Sequence, residues 1–247
     1  DLLKTGGGYH NCAAWGVFPI DDAGNTLLKR GVFTDGKDYA VDPALIKEYV
    51  KYSFFDDRTT GLNPTQGQTV PDPHKPEAYS FIKSPRYNGK PHEVGPLARM
   101  WVNNPELSKT GQDALGVKRV RDIKDAAFSI LGRHVARAEE TAIVADAMEQ
   151  WLAQAQPGKE TFVPAPIPES AEGLGLTEAP RGALLHYIQI KNKKIANYQV
   201  TSATIWNANP MDDMGQRGPM EQALIGVPVP DPENPVNVGR LIRSFDP

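Results

Sequence analysis

Cysteine is almost absent from this chain: its 247 residues include one, Cys12. A lone thiol excludes an internal disulfide and any site built from several of the chain's own thiolates. Basic charge in excess is lacking too. Twenty-seven Lys and Arg face 30 Asp and Glu, a net charge of −3, which argues against a nucleic-acid surface. No apolar run approaches the ~20 residues of a membrane span. No secretory leader opens the chain, which begins Asp-Leu-Leu-Lys as a segment of something longer would. Internal repeats are missing, and the only biased tracts are proline-rich connectors.

What is present is ordinary in bulk. Hydrophobic residues make up 40% and charged residues 23%, as in a globular protein. The length suits one large domain or two small ones; we read residues 1–247 as one partial domain. The 22 prolines and 22 glycines sit largely in long connections, which predicts segments that pack against something outside the chain.

Local patterns predict a mainly helical α+β fold. Turn chemistry at Asp21–Asn25 between Trp15–Ile20 and Thr26–Phe33 predicts a β-hairpin. Asp42-Pro43 reads as a helix start, with Leu45, Ile46, Tyr49 and Val50 on one face. Residues 56–96 read as a long ordered loop with Tyr79, Phe81 and Tyr87 to bury. A central helix is predicted over 120–156, its inward face carrying Ile123, Ala127, Ile130, Leu131, His134, Val135, Ala138, Ala142, Ile143 and Ala145. Residues 162–170 read as an extended connector, 184–206 as a hairpin turning at 191–194, and 213–226 as a short helix with Met220, Ala223 and Leu224 inward.

The richest phrase is Gly173-Leu-Gly-Leu-Thr-Glu-Ala-Pro-Arg-Gly-Ala-Leu-Leu-His-Tyr187. In order around it stand His92-Glu-Val-Gly-Pro-Leu-Ala-Arg-Met100, Ser129-Ile-Leu-Gly-Arg133, Asn197-Tyr-Gln199, Thr204-Ile-Trp-Asn207, Gly215-Gln-Arg-Gly-Pro-Met-Glu-Gln-Ala-Leu-Ile-Gly226 and Ser244-Phe-Asp-Pro247. Each phrase is weak alone. Together they resemble the carboxy-terminal half of the large subunit of nickel–iron hydrogenases, most closely the uptake type. The quinone-site subunit of respiratory complex I shares that fold without the metals. It does not usually carry Thr-x-Trp-Asn or a closing Ser-Phe-Asp-Pro, so the hydrogenase resemblance is favoured over a non-catalytic, complex I-like structural subunit.

The resemblance implies a chemistry. It is reversible heterolytic oxidation of hydrogen at a nickel–iron centre with cyanide and carbon monoxide ligands, four cysteines holding the metals and a magnesium nearby. Electrons would pass to an iron–sulfur small subunit. The chain would stop just before the terminal Cys-x-x-Cys motif, so it is expected to bind none of these metals itself. Expected partners are that small subunit and the amino-terminal half of the large subunit, in a periplasmic or membrane-associated assembly reached through partner subunits, or a cytoplasmic one. No nucleic acid and no direct membrane span are expected.

Residue by residue, Arg181 matches the arginine placed over the metals, where a fixed guanidinium fork can hold a cyanide or poise a base. Thr204 matches the hydroxyl that donates to the other cyanide, and Asp246 the carboxylate that pairs with the arginine. The backbone carbonyl of Val200 matches a magnesium ligand. The plainer readings are an Arg in a surface ion pair, a strand threonine and a terminal acid; the setting of Arg181 between Pro180 and Gly182, after apolar Leu174 and Leu176, favours the functional reading there, while Thr204 and Asp246 are raised only by the family register. Cys12 fits neither cysteine motif and reads as a core residue. His186 reads as a hydrogen-bonded structural histidine and His134 as core packing; His10, His74 and His92 lack ligand spacing. Glu178 either orients the arginine loop or starts a turn. Asp56-Asp57 and Asp212-Asp213 read as solvated loop charges. Ala203 stands where the family usually has proline, and Met211 where it often has arginine.

Overall fold

The computed structural model describes residues 2–21 and 23–247. The amino-terminal part is built from short strands: β1 (Cys12–Ala14), β2 (Val17–Pro19), β3 (Thr26–Leu28), β4 (Gly31–Thr34) and β5 (Lys37–Tyr39). The predicted hairpin forms between β2 and β3. Its turn is held by the Asp21 carboxylate, which accepts from the backbone N–H of Ala23 and Asn25; Asp22, inside that turn, lies outside the described residues. β4 pairs with β1 and β5 instead.

The helix expected after Asp42-Pro43 does not form. Asp42 caps a single 3-10 turn, Pro43–Leu45, and the chain then runs into β6 (Ile46–Tyr49), antiparallel to β7 (Ser84–Tyr87). Ile46 and Glu48 are buried while Lys47 is exposed, a period of two rather than 3.6. Between these strands runs the long loop, shorter than expected because Ser84–Tyr87 is a strand; Tyr87 is buried, but Tyr79 and Phe81, expected to be buried too, are exposed. The loop's buried Lys75 ammonium donates to the carbonyls of Val50 and Phe55 and to Asp57.

Helices α1 (Pro96–Asn103), α2 (Lys109–Leu115) and α3 (Ile130–Gln154) follow. The predicted 120–156 helix is divided. Residues 120–128 form a kinked 3-10 stretch, with Lys124 at φ 56°, and Ser129 caps α3 by accepting from Gly132 N–H. The inward face matches the expected one only in part: Ala127 and Ile130 are buried, and Ile123 and Ile143 pack against the core. Arg133, Ala136, Glu139, Glu140 and Ala147 are buried, whereas Leu131, His134, Ala138, Ala142 and Ala145 are exposed. Hydrophobic periodicity misplaced the rest of the face because the inward side of α3 also carries charges, and these are paired inside the protein.

A three-stranded antiparallel sheet of β8 (Ser170–Ala179), β9 (Gly182–Lys191) and β10 (Lys194–Thr201), in the order β10-β9-β8, carries the richest phrase. The expected connector thus ends in an additional strand. Helices α4 (Ala203–Ala208), α5 (Pro219–Leu224) and α6 (Val236–Ser244) close the chain, and Met220 and Ala223 of α5 point inward as expected. The fold is mixed α+β rather than mainly helical, with 32% helix and 25% strand. Its core gathers Trp15, Tyr87, Leu185, Tyr187 and Trp206, with Trp15 and Trp206 edge to face at 5.7 Å.

Candidate functional site

Pro180 and Arg181 form the tight connection between β8 and β9, where Ala179 pairs with Gly182. Gly182 has φ 135°, and a Cβ there would lie 2.5 Å from Gly95 N. Gly95, at φ 112°, caps α1, and its own Cβ would meet Arg181 O at 2.7 Å. Backbone touches backbone here, so only glycine fits on either side.

The same connection is gripped from below by Arg99 of α1, which is 3% exposed. Its Nε and Nη2 bond the two Glu140 oxygens. Nη1 donates to Glu178 Oε2 at 2.6 Å and Ala179 O at 3.1 Å, and Nη2 also to Pro180 O at 2.8 Å. Glu178 Oε1 accepts from Trp15 N–H at 2.6 Å. Of the two sequence readings for Glu178, this contact set supports the one in which it orients the arginine loop. Burial pushes the Glu178 carboxyl up to about 7, with Arg99 and the Trp15 N–H acting against the rise.

Asp246 arrives from the end of α6. The chain there is held by α3: Arg137 Nη2 donates to Ser244 O at 3.0 Å, and the Arg133 guanidinium lies 4.0 Å over the Phe245 ring while bonding Glu93 with two nitrogens. Arg181 Nε then lies 3.8 Å from Asp246 Oδ1, both side chains about half exposed. Asp246, Arg99, Glu140 and Glu178 share the wall of a cavity of about 520 Å³ with Phe18, Val144 and Met148.

Thr204 is not brought to that wall. It sits in the first turn of α4, a helix and not the strand expected, with Ala203 at the first helical position, where the family's usual proline would also fit. It is tied to the arginine loop indirectly: Asn207 of the same helix bonds both N–H and C=O of Val94, next to Gly95. Val200 lies on β10 opposite His186. The nearby buried carboxylate, Glu48, already accepts from Thr201 and Lys83, so it does not stand open as a companion ligand. His186 is hydrogen-bonded to the Tyr198 hydroxyl, as expected. His134 is exposed beside Arg137 and is not a core residue. Asp212 is the other correction: it is fully buried and binds Arg86 Nε at 2.5 Å, where a solvated charge was expected.

Cys12 is sealed in the core beside Leu97 and Met100, and burial pushes its thiol well up. Among the described residues no group of three or more His, Cys, Asp and Glu side chains could hold a metal ion. The donor set for nickel, iron or magnesium is therefore not found in these residues. What they offer is a cavity wall with Asp246 and the buried Arg99–Glu140–Glu178 network, and the half-exposed Arg181 guanidinium beside Asp246. Sequence reasoning missed Arg99, Glu140 and Arg137. Arg99 had a signal, since it closes the Glu-Val-Gly-Pro-Leu-Ala-Arg phrase.

Comparison with known proteins sharpens this. A sequence profile of the nickel-dependent hydrogenases matches residues 1–247. The chain is 63% identical to the large subunit of a periplasmic [NiFeSe] hydrogenase from Desulfomicrobium baculatum, matching 100% of this chain and 50% of that protein. It is 36% identical to an uptake hydrogenase large subunit from Bradyrhizobium diazoefficiens, over 89% of this chain and 43% of that one. The crystal structure of a reduced, active Ni-Fe-Se hydrogenase from Desulfomicrobium baculatum superposes with a TM-score of 0.97 at 62% identity, over 100% of this chain and 52% of that one. The chain spans about half the length of the curated relatives it matches. On the family match across its full length, this chain belongs to the nickel-dependent hydrogenases.

Proposed function

We propose that this chain is a partial domain of the large subunit of an uptake-type hydrogenase, and that the full-length protein oxidises hydrogen reversibly and heterolytically. The observation that carries the reading is the Arg181–Asp246 pair at the cavity edge, supported by the relatives' shared family. The nickel–iron centre, with its cyanide and carbon monoxide, would supply the hydrogen chemistry when bound. Its cysteine ligands and those of magnesium other than Val200 O would come from outside these residues.

The roles of this chain's own groups follow from their chemistry. Arg181 presents a permanently charged, half-exposed fork beside Asp246 of the cavity wall, suited to an anionic ligand. Asp246 stands beside that fork and offers an oxygen that can take up a proton. Thr204 supplies a hydroxyl from α4. Electrons would leave through an iron–sulfur small subunit. A periplasmic site follows the name of the relative at 63% identity, with membrane association through partner subunits as part of the proposal and a cytoplasmic site as the alternative; no helix among the described residues is long and apolar enough to cross a membrane.

The test uses the full-length large subunit with its partner. Nickel and iron, together with the selenium in the relatives' names, are quantified alongside hydrogen uptake with an artificial electron acceptor. Metal content near one nickel per protein with uptake supports the proposal. A folded, metal-free and inactive complex would turn the reading to a non-catalytic structural subunit.

A further inference from the structure

We infer that Arg99 is a positioning residue for Arg181, a role that deepens the proposed function and rests on it. Arg181 has little to hold it in place. Among the described residues its one ion pair is long, at 3.8 Å, and half exposed, and such pairs constrain geometry weakly. The direction of its guanidinium must therefore come from the backbone that carries it. That backbone is fixed by Arg99. Three of its hydrogen bonds reach three consecutive residues ahead of Arg181: the carboxylate of Glu178 and the carbonyls of Ala179 and Pro180. The other two reach Glu140, which roots the loop in the longest helix. A guanidinium has five N–H donors, and all are used on protein acceptors. Arg99 therefore has no donor left for a ligand and acts through the loop. One turn earlier on α1, Gly95 closes against Gly182, so the same helix holds the loop with a fork and a steric stop. Lysine cannot reproduce this grip, because three donors on a flexible stem do not span five acceptor positions.

The experiment uses the full-length, metal-loaded enzyme and reads amide hydrogen exchange at residues 181–183 together with kcat and KM for hydrogen. In Arg99→Lys, exchange at 181–183 should rise on the order of 10-fold, and kcat should fall on the order of 100-fold with KM nearly unchanged. The double variant Arg99→Lys/Arg181→Lys should be about as slow as Arg181→Lys alone, since the two residues act as one unit. Multiplying effects, or unchanged exchange in a folded Arg99→Lys, would overturn the inference. Should Arg99→Lys not fold, Glu140→Gln withdraws one anchor of the fork and should raise the same amides' exchange by a smaller factor; no rise overturns the inference. Arg86→Lys loosens a different buried hub and should leave exchange at 181–183 unchanged; an equal rise there would mean general loosening and would also overturn it. If Arg181→Lys keeps full turnover while Arg99→Lys still raises exchange, the positioning geometry stands and the catalytic reading of Arg181 falls.

Discussion

Arg181 Nε and Asp246 Oδ1 lie 3.8 Å apart although one side chain comes from the β8–β9 turn and the other from beyond α6. A half-exposed pair of this kind contributes at most about 1 kcal/mol to stability. The role proposed for Asp246 is in handling a proton, not in stability. Asp246→Asn should therefore shift the urea midpoint very little. In the full-length enzyme it should reduce hydrogen turnover by roughly 100-fold, the scale of a lost proton-handling group. Turnover equal to the parent's would remove Asp246 from the site.

The close approach at Gly182 allows a steric prediction. Gly182→Ala meets both a disfavoured φ and a backbone nitrogen 2.5 Å away, so it should cost roughly 2–4 kcal/mol. Gly158 also has positive φ, at 84°, but a Cβ there would meet open space. Gly158→Ala should cost only about 1 kcal/mol. Equal losses in denaturant titrations of the two variants would mean that the contact with Gly95 is unimportant.

Acid should destabilise the chain through His92. The ring is fully buried, with Nδ1 3.0 Å from Lys90 O and Nε2 2.6 Å from Thr34 Oγ1. A carbonyl only accepts, so Nδ1 carries the proton and Nε2 accepts from the threonine. Burial lowers the ring from 6.5 to about 4. Its contribution is therefore complete above 6.5 and is lost as pH falls toward about 4, by roughly 3 kcal/mol. Glu178 works in the opposite sense: raised to about 7, it favours the folded state below its unfolded value and loses that contribution as pH rises through 7. Comparing wild type with His92→Gln separates the two. The variant should lose about 3 kcal/mol less between pH 6.5 and 4; parallel curves would show that His92 does not titrate there.

The chain on its own should bind neither nickel nor iron stoichiometrically. Its single thiol is in the core, and no metal-holding cluster occurs among the described residues. One dinuclear site needs several accessible soft ligands. Elemental analysis of the purified chain that found both metals at one equivalent would refute this.

How much of this was readable in the sequence depends on what kind of interaction holds each part. The β9–β10 hairpin and the inward Met220 and Ala223 of α5 follow from local pattern, and the structure contains them. Ile46–Tyr49 misled because an Asp-Pro cap also opens a single 3-10 turn, and the burial of Glu48 beside Lys83 hid the alternation. The inward face of α3 misled for the same reason: Arg133 and Glu140 are buried because partners come from Glu93 and Arg99, residues distant in sequence. Arg181 and Asp246 were named only through family resemblance, since no periodicity joins a turn to a chain end. Arg99 stood in a quoted phrase, but its meaning lay in the acceptors it finds at 178–180.

The outward side of α3 gives the last prediction. Leu131, Met148 and Leu152 are 38%, 59% and 77% exposed; with the exposed Ala138, Ala142 and Ala145 the positions from 138 to 152 fall at steps of three and four, an apolar stripe that Leu131 meets again two turns earlier. Met148 and Val144 continue it into the wall of the large cavity beside Phe18. A stripe of this kind is uncommon on a monomer and drives association. The relatives are about twice as long as this chain, so we expect their additional chain to cover this surface in the full-length protein. The 247-residue chain alone should therefore self-associate as its concentration rises. In sedimentation velocity, Met148→Lys/Leu152→Lys should shift the distribution toward monomer without changing the far-UV spectrum, because neither side chain is buried. A wild-type chain that stays monomeric across the accessible concentration range would show that the stripe tolerates water and needs no covering segment.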